Sequence, residues 1–235
     1  MARRKTSDTP AETRRRRPLR WIGRAALALV AAALLVTFAY RFVGPWTTPY
    51  QLAEARRLGG IEAQWVPMER IAPAAARSVV AAEDADFCLH WGLDVSAIRA
   101  ALEAGGTRGG STISQQTVKN LFLWQGRSWP RKALEALWTP VAEAVWPKRR
   151  MLELYLNEIE FGTGIFGIEA AARHYFGVAA SDLTDTQAAR LAMVLPDPKD
   201  RDAARPTDWQ RRRTAAILDG AATIAADGRS DCFES

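Results

Sequence analysis

The sequence contains little cysteine and little histidine, with two residues of each. Two cysteines are too few for the disulfide framework of a small secreted domain, so we expect a buried thiol at Cys88 and an incidental one at Cys232. His90 and His174 are far apart, and neither has partners at the spacing of a metal site. The sequence therefore predicts no metal site built from its own residues.

Few stretches alternate between apolar and polar residues with a period of two, which argues against a large β-sheet. From Ile71 onward the pattern is helical, and Thr112 with Gln115 and Thr184 with Gln187 have the spacing of capping boxes. The glycine-spaced segment 161–167 interrupts this pattern. The expected helices cover Gln51–Leu58, 74–88, 94–104, Pro130–Val145, Arg149–Ile159, 168–175, Asp185–Leu195 and 208–221. A flexible glycine-rich connection is expected at 105–110, and the domain is predicted to be mainly α.

The main body of the chain has almost no net charge, although the whole chain carries +6 at pH 7. Residues 1–24 contain nine basic and two acidic side chains, so the basic excess lies entirely in this tail. An apolar run follows from Ala25 to Tyr40, bracketed by Arg24 and Arg41. A basic tail joined to an apolar run indicates membrane topology, and it argues against a nucleic-acid partner.

The apolar run is predicted to be a transmembrane signal anchor over 21–43, after a basic cytoplasmic tail over 1–20 and before a domain over 47–230. Arginines at its ends can snorkel, and Trp21 and Trp46 suit the membrane interface. The alternative is a cleaved signal peptide, but the flank after Tyr40 is bulky and charged where a cleavage site needs small residues. Because positive residues stay in the cytoplasm, the domain is expected on the outer side.

Four clusters could carry chemistry, and each also has an ordinary structural explanation. The acidic cluster 83–87 ends an alanine-rich helix, where Glu83 is either a general base with a raised pKa or a solvated helix end. Segment 109–120 is either an anion-binding helix start or a capped polar helix. Arg127 and segment 131–135 form either a diphosphate site or a surface ion pair. In segment 148–157, Tyr155 is expected in the core, whereas Glu153 and Asn157 shape a cleft or hydrogen-bond structurally.

Taken together in this order, these segments resemble the peptidoglycan glycosyltransferases, the family that includes the first domain of bifunctional penicillin-binding proteins. The resemblance is strongest to the stand-alone biosynthetic transglycosylases and covers about residues 47–225. The matching stretches are EDADFCLHWG (83–92), GGSTISQQTVKN (109–120), RKALE (131–135), KRRMLELYLN (148–157) and FGTGIFGIEAAARHYFG (161–177). The resemblance implies a lysozyme-like helical glycosyltransferase domain preceded by one transmembrane helix.

The resemblance also implies a reaction and its residues. Lipid II units are joined by β-1,4 linkages with inversion, and undecaprenyl diphosphate leaves. Glu83 matches the general base, and Glu135 matches the second carboxylate, near the diphosphate. The implied substrate-binding residues are Ser111, Thr112, Gln116, Lys119, Arg131 and Lys132. Inversion implies direct displacement without a covalent nucleophile.

The expected partners are lipid II, the growing glycan strand, the membrane and proteins of the division or elongation machinery, with no nucleic acid. No cofactor is required by this interpretation, with Mg²⁺ or Mn²⁺ as an optional one. The expected location is the bacterial inner membrane, with the N-terminus cytoplasmic and the catalytic domain periplasmic. Two alternatives stay open: a lysozyme-like glycan hydrolase, which needs no cationic diphosphate site, and a non-catalytic scaffold, which tolerates loss of Glu83.

Overall fold

The computed structural model describes residues 10–96, 99, 103, 110–126 and 128–234. Most of the predicted stretch 94–104, most of the glycine connection 105–110 and Arg127 therefore lie outside the described residues. The chain divides into two compact units, one ending at Val43 and the other beginning at Gly44. The first unit contains helix α1 (Pro10–Ala39), whose segment Trp21–Ala39 is long and apolar enough to cross a membrane. The predicted boundaries of tail, anchor and domain stay predictions.

The second unit is mainly helical, as predicted. In chain order its helices are α2 (Pro49–Leu58), α3 (Pro73–Glu83), α4 (Ile113–Phe122), α5 (Trp129–Val145), α6 (Lys148–Glu158), α7 (Ile168–Phe176), α8 (Asp185–Val194), α9 (Asp208–Ala226) and α10 (Asp231–Glu234). Two 3-10 turns lie at Met68–Arg70 and Ala180–Asp182. The helix predicted over 74–88 ends at Glu83, and the one predicted over 208–221 extends to Ala226.

Hydrogen bonds from side chains fix where several helices begin. The capping boxes predicted at Thr112 and Thr184 both form, and Thr48 and Thr207 make two more. In each case the threonine oxygen accepts the backbone N–H three residues ahead, which satisfies a donor that the first helical turn leaves unpaired. The start of α4 is therefore held by its own sequence, which sets the position of the polar side chains that follow Thr112.

Helix packing forms the core of the second unit. Helix α3 packs against α8 and α9 through a face that includes Ala75, Ala76, Val79 and Val80, all almost fully buried. Small side chains on α3 allow its backbone to lie close to its neighbours. Helix α4 packs against α5 and α6, and α6 contributes the buried Tyr155. Glu83, at the end of α3, thus belongs to the group of α3, α8 and α9 and lies beside the group of α4, α5 and α6.

A small sheet replaces the helical pattern at the glycine-spaced segment. Strands β1 (Glu62–Ala63), β2 (Glu160–Gly162) and β3 (Ile165–Phe166) pair in the order β1-β3-β2, with β1 parallel and β2 antiparallel to β3. Gly167 ends the segment at a φ of 84°, and a Cβ atom there would lie 2.7 Å from the carbonyl oxygen of Asn157. Only glycine fits this turn between β3 and α7 without strain.

The expectation of two separate thiols is wrong, because Cys88 and Cys232 form a disulfide with a Cα–Cα distance of 5.8 Å. Helix α10 places Cys232 there through Phe233, which is fully buried and lies 6.3 Å from Phe87 between ring centroids. The two cysteines are 144 residues apart in sequence, so no local pattern could indicate the pairing. The disulfide ties the C-terminus to the loop that follows Glu83.

Candidate active site

Glu83 is the last residue of α3 and is only partly exposed. Its Oε2 accepts a hydrogen bond of 2.9 Å from Nε2 of Gln116 on α4. Burial raises the pKa of the Glu83 carboxyl, and the Gln116 hydrogen bond and the charges of Arg213 and Lys119 act in the opposite direction. A carboxyl with these properties is suited to accept a proton, which favours the general-base interpretation over a solvated helix end.

The neighbouring Asp84 holds this part of the chain in place. Its Oδ2 accepts the backbone N–H of Ile113 at 2.9 Å, and its Oδ1 lies 2.8 Å from Nε2 of His90. A carboxylate at the start of α4 also interacts favourably with the helix dipole. Asp84 therefore fixes the end of α3 against the start of α4, a role that sequence reasoning missed although the residue lies in the acidic cluster.

Glu135 lies on α5 and is buried, with a residue exposure of only 2%. Its Oε2 accepts a hydrogen bond of 2.6 Å from Nη1 of Arg131, and its Oε1 accepts one from Nζ of Lys132. The predicted spacing thus brings these three side chains together. Because Glu135 is buried, the cluster is not the exposed ion pair of the alternative interpretation.

Ser111, next to the start of α4, connects the Glu83 side of the site to the cluster of Glu135, Arg131 and Lys132. Lys132 donates a hydrogen bond of 2.9 Å from Nζ to Oγ of Ser111. Thr112, next to it, is buried, and its hydroxyl donates to the carbonyl of Gly92 at 2.6 Å and accepts from the Gln115 backbone. The Thr112 hydroxyl is thus engaged inside the protein, and its predicted contact with substrate stays a prediction.

Lys119 lies near enough to both Glu83 and Glu135 for their charges to act on its amine. Burial lowers the pKa of its amine, the charges of Glu135 and Glu83 raise it, and those of Arg131 and Lys132 lower it. Among the described residues it makes no hydrogen bond or ion pair, so its amine is available to a ligand. Three cations therefore surround one buried carboxylate, which leaves a local excess of positive charge.

Two cavities lie beside these groups. One, of about 220 Å³, is acidic and has Glu83, Asp84, Asp86, Asp94 and Ser111 among its lining residues. The other, of about 300 Å³, is lined by Ser128, Trp129, Arg131 and Lys132. The hydrogen bond between Ser111 and Lys132 connects the acidic wall to the basic wall. This arrangement suits a substrate that carries a hydroxyl at one end and an anion at the other.

Asn157 and Glu153, the other two polar candidates of segment 148–157, bond to neighbouring parts of the protein. Asn157 bonds both the backbone N–H and the carbonyl of Val66, at 2.8 and 2.9 Å. Glu153 pairs with Arg150 at 3.0 Å. Trp129, which lines the basic cavity, is 88% exposed. Within the described ranges, no group of three or more His, Cys, Asp or Glu is placed to hold a metal ion, so the optional Mg²⁺ or Mn²⁺ stays a prediction.

Comparison with known proteins identifies the family of the chain. The sequence model of the family described as "Transglycosylase" matches residues 51–222. A protein from Jannaschia sp. (strain CCS1), named biosynthetic peptidoglycan transglycosylase, is 62% identical over 214 residues, covering 91% of this chain and 90% of the relative. Proteins of the same name from Caulobacter vibrioides and Xanthomonas campestris pv. campestris are each 46% identical, over 88% and 92% of this chain and 92% of each relative. The chain belongs to the transglycosylase family.

Proposed function

We propose that this enzyme polymerises peptidoglycan glycan strands from lipid II, forming β-1,4 linkages and releasing undecaprenyl diphosphate. The observation that carries the proposal is that Ser111, which lines the same cavity as Glu83, accepts a hydrogen bond from Lys132 of the cationic cluster. A proton-accepting carboxyl and a group of cations therefore border one site. The family membership and the names of the relatives support the reaction class.

In this proposal Glu83 is the general base. One of its oxygens is occupied by Gln116, and the described residues give the other no hydrogen-bond donor. That second oxygen accepts the proton of the acceptor sugar's 4-hydroxyl as the hydroxyl oxygen bonds to the anomeric carbon of the donor. The bond from that carbon to the diphosphate oxygen breaks, and its electron pair leaves with undecaprenyl diphosphate.

The cations stabilise the charge that develops on the leaving diphosphate. Lys119, Arg131 and Lys132 provide this charge from fixed positions, so little reorganisation is needed during the reaction. Glu135 holds Arg131 and Lys132 in place, and we assign it this electrostatic role and no proton transfer. Ser111 and Thr112 line the cavity beside Glu83, and Gln116 holds the Glu83 carboxylate by its hydrogen bond.

We further propose that the enzyme is anchored in the bacterial inner membrane with its N-terminus in the cytoplasm and its domain in the periplasm. The basic excess in residues 1–24 supports this orientation. The Cys88–Cys232 disulfide supports an oxidising compartment such as the periplasm. There the domain meets a lipid-linked donor and the growing strand, and proteins of the division or elongation machinery are its proposed partners.

The test uses the purified full chain with labelled lipid II. Wild type should give a glycan polymer, Glu83→Gln should form it about 10²-fold more slowly or not at all, and the control Glu69→Gln should match wild type. Glu69 is exposed and pairs with Arg149, away from the site residues. Release of sugars from finished wall would favour a hydrolase, and binding of lipid II without any product would favour a scaffold; either result contradicts the proposal.

A further inference from the structure

Tyr155 is a buried polar residue that the proposed reaction does not use. It lies on α6, is fully buried, and its hydroxyl donates a hydrogen bond of 3.2 Å to Oε1 of Gln116. In the described part of the chain this is the only hydrogen bond of the Tyr155 hydroxyl. Gln116 in turn donates from Nε2 to Glu83 at 2.9 Å. A continuous path of two hydrogen bonds therefore leads from the core to the proposed general base.

We infer that Tyr155 is a positioning residue that fixes the amide of Gln116 with its NH2 group toward Glu83. The inference rests on the proposed function, because it gives Glu83 the role of general base. Side-chain amides are nearly symmetric in shape, so the hydrogen-bonding neighbours decide which end is oxygen and which is nitrogen.

The two orientations of the Gln116 amide are not equivalent here. In the observed one, the Tyr155 proton has an acceptor and Glu83 has a donor. In the flipped one, the Gln116 oxygen would face the Glu83 carboxylate, and the buried Tyr155 proton would have no acceptor among the described residues. An unmade buried hydrogen bond is costly, so the hydroxyl favours the orientation that serves Glu83.

The state of Tyr155 is constant over the working pH range. Burial, with the nearby charges of Glu83 and Asp84, raises the pKa of Tyr155 well above its ordinary value, so the hydroxyl stays protonated. The groups that act on Glu83 are Gln116 and Lys119 of α4, Arg213 of α9 and its neighbour Asp84. None of these charges is altered by removal of the Tyr155 hydroxyl, so a change in Glu83 titration reports the orientation of Gln116.

The variant Tyr155→Phe removes only the hydroxyl. The Gln116 amide is then oriented only by Glu83 and by a long 3.5 Å contact from its Nε2 to the Ser111 carbonyl. It samples the flipped orientation more often, so Glu83 loses part of its hydrogen bond and the pKa of Glu83 rises. The acid limb of the kcat profile should move to higher pH by up to about one unit, with up to about tenfold lower kcat below the limb and little change in KM. Tyr175→Phe is the matched control, because that hydroxyl donates to the Phe161 carbonyl at 3.1 Å, outside the site.

A double mutant separates the path through Gln116 from a direct effect. Gln116→Met should by itself shift the acid limb of the kcat profile to higher pH. Adding Tyr155→Phe to this variant should give no further shift. Titration of Glu83 by ¹³C NMR in the same variants gives this readout without turnover, and it is independent of whether lipid II is the substrate. An unmoved Glu83 titration in Tyr155→Phe, or an equal shift in the Gln116→Met background, would overturn the inference. Thermal unfolding of each variant confirms that it is folded.

Discussion

Replacing Glu135 by glutamine tests the proposed cationic site at its centre. The carboxylate is buried and bonds both Arg131 and Lys132, and Arg131 is itself buried, with only 10% of its side chain exposed. Glutamine keeps the shape but removes the charge, so two cations remain side by side without compensation. Breaking a buried ion pair in this way costs about 3–5 kcal/mol. For a domain of this size that corresponds to a fall in Tm of roughly 6–20 °C.

The assay is thermal unfolding of the full chain in detergent, with Glu69→Gln as the control. The Glu69–Arg149 pair has a similar distance, 2.9 Å, but the Glu69 side chain is 68% exposed. Loss of such a pair costs at most about 1 kcal/mol. If the free energy of unfolding of Glu135→Gln lies within about 1 kcal/mol of the wild-type value, Glu135 does not hold Arg131 and Lys132 together as described. The electrostatic role given to Glu135 is then refuted.

Three further predictions concern pH and the disulfide. Burial raises the pKa of Glu83 and lowers that of Lys119. The acid limb of the kcat profile should therefore lie at higher pH, and the alkaline limb at lower pH, than for an ordinary glutamate and lysine. Rates measured from about pH 4 to 11 check both limbs. Burial raises the pKa of Glu158 to about 8, above its unfolded value, so its contribution to stability is present at acidic pH and lost as pH rises towards 8. Glu158→Gln should flatten the fall in Tm between acidic and alkaline pH, and an unchanged slope would contradict this. Cys88→Ser should lower the free energy of unfolding by about 5 kcal/mol from loop closure across the 144-residue separation, and reductant should then have no further effect; equal reductant sensitivity in wild type and variant would contradict this.

Local features of the fold were predictable because the interactions that form them are local. The capping boxes at Thr112 and Thr184 join residues three positions apart, and the site cluster around Glu135 uses neighbours one helical turn away. Apolar periodicity likewise predicted α6 to within one residue at each end. Each of these could be inferred from a short window of sequence.

The contacts that assemble the site are long-range, and sequence reasoning did not find them. Gln116 meets Glu83 across 33 positions and Tyr155 across 39. The Cys88–Cys232 disulfide depends on the packing of α10, which is only four residues long and carries little periodic signal. Such contacts depend on how helices pack, so the family resemblance indicated the site residues while the structure was needed for their hydrogen bonds.

The role of Glu83 as general base is tested most directly by comparing activity and stability in Glu83→Gln. Because burial disfavours the charged Glu83 carboxylate in the folded state, a neutral glutamine should unfold at the same Tm as wild type or higher at neutral pH. Loss of the base should lower the rate of glycan polymerisation from lipid II by about 10²-fold or more. We expect this separation of activity from stability in one purified sample. Polymerisation near the wild-type rate, or a loss of activity matched by a loss of folding, would contradict it.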